Sequence, residues 1–166
     1  ERVNQLRNWN INFIQGDILN KELIKDHCQD ADVVHHLAGI TNVPRVKSES
    51  NLDHDQKIKK VAEEGTQNIL DAIDDKCKII MPSSHVVFEG IEKVKMNIME
   101  NEKVNPTLSY GKSKAINEEQ LKKSGKNYII LRLGSVYGYS SDTARIDIMA
   151  NHFAKTASQD GTLRLF

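Results

Sequence analysis

Cysteine is scarce in this chain. There are two in 166 residues, Cys28 and Cys77, far apart in sequence and at no metal-ligand or redox spacing. That argues against a disulfide framework and for two reduced thiols in a cytoplasmic protein. Net charge is missing too, with 23 basic residues against 23 acidic ones. Without a basic excess there is no footprint for nucleic acid and no helix suited to a membrane surface. No apolar run approaches the roughly 20 residues that span a bilayer, and the N-terminus is too polar for a signal peptide. The six histidines show no ligand spacing, and so predict no metal site. His35 and His36 sit in an apolar strand pattern, where neighbours point to opposite faces. Repeats, low-complexity tracts and linkers are absent, which leaves one domain with one core. The chain opens on Glu1 and closes on Thr162-Leu163-Arg164-Leu165-Phe166, so both ends read as cuts through a larger protein.

What is present is an alternation of short apolar runs and amphipathic stretches. Strands are predicted at 11–17, 31–39, 78–84, 127–134 and over the last five residues. Helices are predicted at 21–28, with Asn20 as cap, at 53–73, from about 110 to 123 with a stop at Ser124-Gly125, and at 147–157. Loops fill 40–52, 85–107 and 136–141, and residues 1–10 give no firm assignment. The run Val33-Val34-His35-His36-Leu37-Ala38 is apolar at nearly every position, as in a parallel strand covered on both faces. Gly65 interrupts the long helix and suggests close approach of another backbone, or else a tolerated glycine. Strands separated by helices of this length pair in parallel through crossovers, which gives an α/β fold with a doubly wound parallel sheet. Ligands of such sheets collect beyond the carboxyl ends of the strands. Each predicted strand there ends in a small or polar turn: Gly16-Asp17, Ala38-Gly39, Ser83-Ser84, Gly134-Ser135.

One pair carries acid/base chemistry. Tyr110 and Lys114 are four residues apart and so share a helix face. An ammonium beside a phenol favours the phenolate, and a phenol of lowered pKa can exchange a proton with an alcohol near neutral pH.

Six segments in order extend this observation: Gly16-Asp17-Ile18, His36-Leu37-Ala38-Gly39, Gly65-Thr66-Gln67-Asn68, Ser83-Ser84-His85-Val86-Val87-Phe88, Tyr110-Gly111-Lys112-Ser113-Lys114 and Leu131-Arg132-Leu133-Gly134-Ser135-Val136-Tyr137-Gly138. Together they resemble the NAD-dependent sugar-nucleotide epimerase/dehydratase family of the extended short-chain dehydrogenase/reductase superfamily, over nearly the whole chain. The resemblance implies a Rossmann-like dinucleotide-binding domain, incomplete at its N-terminus and without the C-terminal substrate domain. It implies NAD as cofactor, with NADP left open, and a nucleotide sugar as substrate. Tyr110 would be the general acid/base. Lys114 would hold the nicotinamide ribose and keep the Tyr110 pKa down, and Ser84 would hydrogen-bond the substrate hydroxyl or the tyrosine. Asp17 and Ile18 would meet the adenine. Leu37, Ala38 and Gly39 would pack along ribose and pyrophosphate, with Gly134 near the nicotinamide and Ser135 at the sugar. It also implies a homodimer of the parent, paired through the two long helices.

The chain departs from that family in six ways. It has no Gly-x-x-Gly-x-x-Gly turn to hold the pyrophosphate and no residue to choose between NAD and NADP. Alone it is therefore expected to bind cofactor poorly. Where dehydratases carry an acidic pair, it has His85 and Val86, which disfavours dehydration. Phe88-Glu89 and Ala62 replace the usual Tyr-Gly and Asn. Ser135 replaces a common Asn, which alters a sugar contact. The competing expectations are a catalytically idle dinucleotide-binding module and an NADPH-dependent keto-sugar reductase.

Overall fold

The computed structural model describes residues 2–41, 51–139, 146 and 148–163. In chain order the elements are α1 (Arg2–Asn8), α2 (Lys21–Cys28), β1 (Val33–His35), α3 (Leu52–Ala72), β2 (Lys78–Ser84), a 3-10 turn (His85–Phe88), α4 (Ser109–Lys123), β3 (Asn127–Leu133) and α5 (Met149–Ser158). The strands form one parallel sheet in the order β1-β2-β3. Val34 lies opposite Ile79, Met81 opposite Ile130 and Ser83 opposite Arg132. This is the α/β arrangement expected, with a helix crossing between each pair of neighbouring strands.

Local signals set most of the element ends. The Asn20 side chain accepts from Leu23 N at 3.2 Å and starts α2. Asn51 does the same for α3, accepting from Asp53 N and His54 N, and Asp53 and Asp55 add negative charge to that first turn. Gly125, at φ +71°, takes the left-handed conformation just past α4 that halts a helix cheaply.

Period two in β2 decides where the core lies. Ile79, Met81 and Ser83 are buried and alternate with half-buried neighbours. Ile79 and Met81 pack with Ile69, Leu70 and Ile73 from the end of α3, with Cys77, and with Leu121 of α4. Val34 and Ile130 extend this layer on the flanking strands, and Ile18, Ile24 and Cys28 close it from the α2 side. Both cysteines are free, and burial pushes each thiol up, so both act as small apolar groups.

The other face of the sheet is open among the described residues, with Val33, Ile129, Leu131 and Leu133 exposed. This corrects the expectation for 31–39. Among the described residues the strand there is three residues long with β2 as its one neighbour, and it is covered on one face because both crossover helices lie on the Val34 side. The predicted strand at 11–17 is irregular chain instead, with Ile11, Phe13 and Ile14 exposed. Alternation alone makes no strand where no described neighbour offers a hydrogen-bond ladder. Residues 162 and 163 are likewise irregular, and 164–166 lie outside the described residues, as do 42–50 of one predicted loop and 140 and 141 of another.

Gly65 is approached closely, by a side chain rather than by a backbone. A Cβ there would sit 2.9 Å from Cγ2 of Ile18. That methyl group is on a β-branched carbon with little freedom to move. Gly65→Ala should therefore lower stability in urea unfolding despite the better helix propensity of alanine. In an Ile18→Ala background the same change should raise stability by about 1 kcal/mol. Equal effects in the two backgrounds would show that Ile18 does not set the requirement for glycine.

Candidate active site

The carboxyl ends of the three strands converge at one side of the sheet. At the first, His36 N donates to Ile80 O at 2.9 Å and adds one rung beyond β1, after which the chain turns away through Leu37 N to His35 O. Leu37, Ala38 and Gly39 are exposed there, and a Cβ on Gly39 would meet nothing within 4 Å. At the third tip Gly134 is equally open, with exposed Ser135 beside it. Between them β2 ends in Ser83 and Ser84, which alternate in direction. Ser83 is buried toward the helices, while half-buried Ser84 caps the 3-10 turn by accepting from Val86 N at 3.4 Å.

Helix α4 brings its first turns against this tip. Gly111 permits the approach, since a Cβ there would stand 2.9 Å from Val86 O. Half-buried Tyr110 precedes it. One turn on, Lys114 points inward, unlike exposed Lys112. Its Nζ donates to Pro82 O at 2.9 Å and lies 5.7 Å from the centroid of the Tyr110 ring. Burial pulls the Lys114 ammonium below the usual lysine value. The structure thus gathers Ser84, Tyr110 and Lys114 around the end of β2, flanked by the Leu37–Gly39 and Gly134-Ser135 tips.

Asp17 and Ile18 belong to a different neighbourhood, beside α2 and α3. Asp17 Oδ1 accepts from Leu19 N at 2.9 Å, a turn bond. Ile18 turns onto Gly65 and the core, and its carbonyl accepts from Asn68 Nδ2 at 3.0 Å.

Two buried polar groups lie under the site that the sequence reading did not single out. In the first, His36 Nε2 and Thr66 Oγ1 are 2.8 Å apart, and Asn117 Nδ2 donates to Thr66 Oγ1 at 2.7 Å and to Ala62 O at 2.8 Å. His36 Nδ1 is buried and has no hydrogen-bond partner among the described residues. Burial, with the Lys114 charge nearby, pushes the His36 imidazole down to about 4, so it is neutral at neutral pH. In the second, Glu118 of α4 accepts from Ser83 Oγ at 2.6 Å and from Arg132 Nε and Nη2 at 3.0 and 2.7 Å. Burial alone would raise the Glu118 carboxyl. Hydrogen bonds from Arg132 and Ser83 and the guanidinium charge outweigh it and hold the group below the usual value. The available signal was polarity on apolar faces: Thr66, Asn117 and Glu118 fall at core-facing helix positions, and Arg132 falls inside an apolar strand.

The chain is similar to known proteins in sequence and in fold. The family model for the RmlD substrate binding domain matches residues 3–165. A Methanocaldococcus jannaschii protein provisionally named as a UDP-glucose 4-epimerase is 36% identical over 137 residues, covering 78% of this chain and 43% of its own. The 3beta-hydroxysteroid-dehydrogenase/decarboxylase isoform 2 of Arabidopsis thaliana is 30% identical over 142 residues, 80% of this chain and 24% of its own. Among solved structures, the UDP-glucuronic acid 4-epimerase of Bacillus cereus in complex with NAD superposes with a TM-score of 0.68 at 27% identity, covering 92% of this chain and 46% of its own. The chain therefore spans less than half the length of these relatives.

The depressed His36 pKa has a pH consequence. The unfolded chain protonates this histidine near pH 6.5, whereas the folded chain resists until about pH 4. Its share of stability is therefore complete above pH 6.5 and lost as pH falls toward 4, by about 3 kcal/mol in all. Urea unfolding of wild type and His36→Gln at pH 7 and pH 4.5 should show a smaller loss in the variant, by about 2 to 3 kcal/mol. Parallel losses would mean that His36 protonates as readily folded as unfolded.

Proposed function

Because the chain belongs to the NAD-dependent sugar-nucleotide epimerase/dehydratase family, we propose that it is part of the dinucleotide-binding domain of a larger enzyme that epimerises a nucleotide sugar by transient oxidation of a ring hydroxyl. The observation that carries this reading is Lys114, turned inward onto Pro82 O beside Tyr110, on a helix whose first turn abuts the Ser84 turn. A solvated lysine would leave the phenol unassisted.

The residues present suit a dinucleotide lying across the strand ends. Gly39 and Gly134 have open space where a side chain would stand, and Leu37, Ala38 and Ser135 are exposed between them. Leu37, Ala38, Gly39 and Gly134 would line it, Asp17 and Ile18 would serve the adenine end, and Lys114 would take the ribose hydroxyls. The pyrophosphate needs a glycine-rich turn, which we assign to sequence outside these 166 residues. The chemistry a bound nicotinamide supplies is reversible uptake of a hydride from a sugar carbon.

The chain's own part is position and proton handling. Tyr110 Oη takes the proton of the sugar hydroxyl as the carbon loses its hydride, and returns it when the keto sugar is reduced from its other face. Lys114 stabilises the phenolate that accepts this proton, and Ser84 fixes the hydroxyl. His85, whose Nδ1 lies 3.3 Å from Leu133 O, and Val86 stand where an eliminating enzyme carries acids, which favours epimerisation over dehydration. The groove outside α3 and α4, lined by Leu52, Pro106, Ala115 and Ile116, is the proposed homodimer contact.

The test uses the full-length protein with NAD and UDP-glucose or UDP-glucuronic acid. Tyr110→Phe should lower kcat by about 10²–10⁴-fold with little change in KM. Unchanged turnover would remove the acid/base role. NAD binding without turnover by the wild type would favour the idle module, and net NADPH consumption the reductase. Turnover of a 3β-hydroxysteroid and of neither sugar nucleotide would overturn the substrate class.

A further inference from the structure

Glu118 is 1% exposed, and Arg132 approaches it with two nitrogens. Removing two charges from water costs several kcal/mol per ion before their attraction is counted, and apolar replacements of similar size are often as stable. Stability is therefore a weak reason for the pair to be here. Its contacts suggest a better one.

The pair joins backbone segments distant in sequence. Glu118 belongs to α4, and Tyr110, Lys114 and Glu118 fall at i, i+4 and i+8 on one face of it. Ser83, which donates to Glu118 Oε1 at 2.6 Å, immediately precedes Ser84 at the tip of β2. Arg132 belongs to β3, two residues before Gly134. Its Nη1 donates to Glu100 O at 2.9 Å, and its guanidinium lies 5.0 Å from the centroid of the Phe88 ring. Lys122 Nζ completes the carboxylate at 3.3 Å. One ion pair thus ties α4, β2, β3, the 3-10 turn and the loop at Glu100 together, directly beneath the residues assigned to chemistry.

We propose that Glu118 and Arg132 are positioning residues, which set the Tyr110–Lys114 face of α4 in register with Ser84 while touching neither substrate nor cofactor. This rests on the acid/base reading of Tyr110. Displacing reacting groups by about 1 Å can cost on the order of 10²-fold in rate, whereas cofactor contacts on other strands would be spared.

The decisive variant is the triple Ser83→Ala, Glu118→Leu, Arg132→Met in the full-length protein, which removes the three buried polar partners together and leaves only the exposed Lys122 ammonium and Glu100 carbonyl to turn to water. It should melt near the wild-type temperature and bind NAD within about threefold of wild type. With the sugar nucleotide turned over by the wild type, kcat should fall about 10- to 100-fold while KM stays within about threefold. A kcat within twofold of wild type, beside an inactive Tyr110→Phe, overturns the positioning role alone. Full turnover by Tyr110→Phe overturns the underlying reading and this inference with it. Should the triple variant fail to fold, Ser83→Ala alone decides, since it keeps the ion pair. A fall in kcat of about 3- to 10-fold at constant KM supports the role, and unchanged kcat overturns it.

Discussion

The hydrogen bond from Lys114 Nζ to the carbonyl of Pro82 joins the helical layer to the sheet at the point where chemistry is assigned. It answers a need of the backbone. Ile80 O still receives a ladder donor from His36 N, but the chain then turns back on itself through Leu37 N. Pro82, two residues further along β2, is left without that neighbour. A buried carbonyl lacking a donor costs about 1–3 kcal/mol, and the lysine supplies one. The contact that satisfies the sheet thereby fixes where the ammonium stands relative to Tyr110.

Below that contact the packing changes character. The core proper is apolar, from Ile69 to Leu121. Between it and the strand tips lies a polar layer: His36, Thr66 and Asn117 on the α3 side, Ser83, Glu118 and Arg132 on the β3 side. Apolar contacts are non-directional and tolerate sliding. Buried hydrogen bonds do not, because a small shift leaves groups unsatisfied in a low dielectric. A polar layer placed there restricts α4 to one register over β2.

This division explains what could be read without coordinates. The bounds of α2 and β2 agree residue for residue with the sequence reading, since a cap, a run of alternation and a breaker are local signals. The long helix is displaced by one residue at each end. The strand at 11–17 failed because pairing depends on a neighbour that periodicity does not reveal. That Tyr110 and Lys114 share one helix face, one turn apart, was legible from spacing. Glu118 stands four residues beyond Lys114 on the same face, yet its partners Ser83 and Arg132 are 35 and 14 residues away. Thr66 and Asn117 are 51 apart. Such pairs exist only once the sheet is assembled, so sequence shows an unusual polar residue on an apolar face but not its partner.

In the role proposed for it, Lys114 meets two opposing demands by being half-buried. In open water its field at the phenol would be screened to little effect. Fully buried and unpartnered, it would shed its proton and leave nothing to stabilise a phenolate. Helices on one face of the sheet and open glycine tips on its rim give an intermediate position. The helices desolvate the ammonium enough to lower its pKa. Neutral His36 beside it imposes no competing positive charge. A second buried cation at that position would push the lysine toward deprotonation, and the low His36 pKa, set first by burial and then by the Lys114 charge, keeps that cation away.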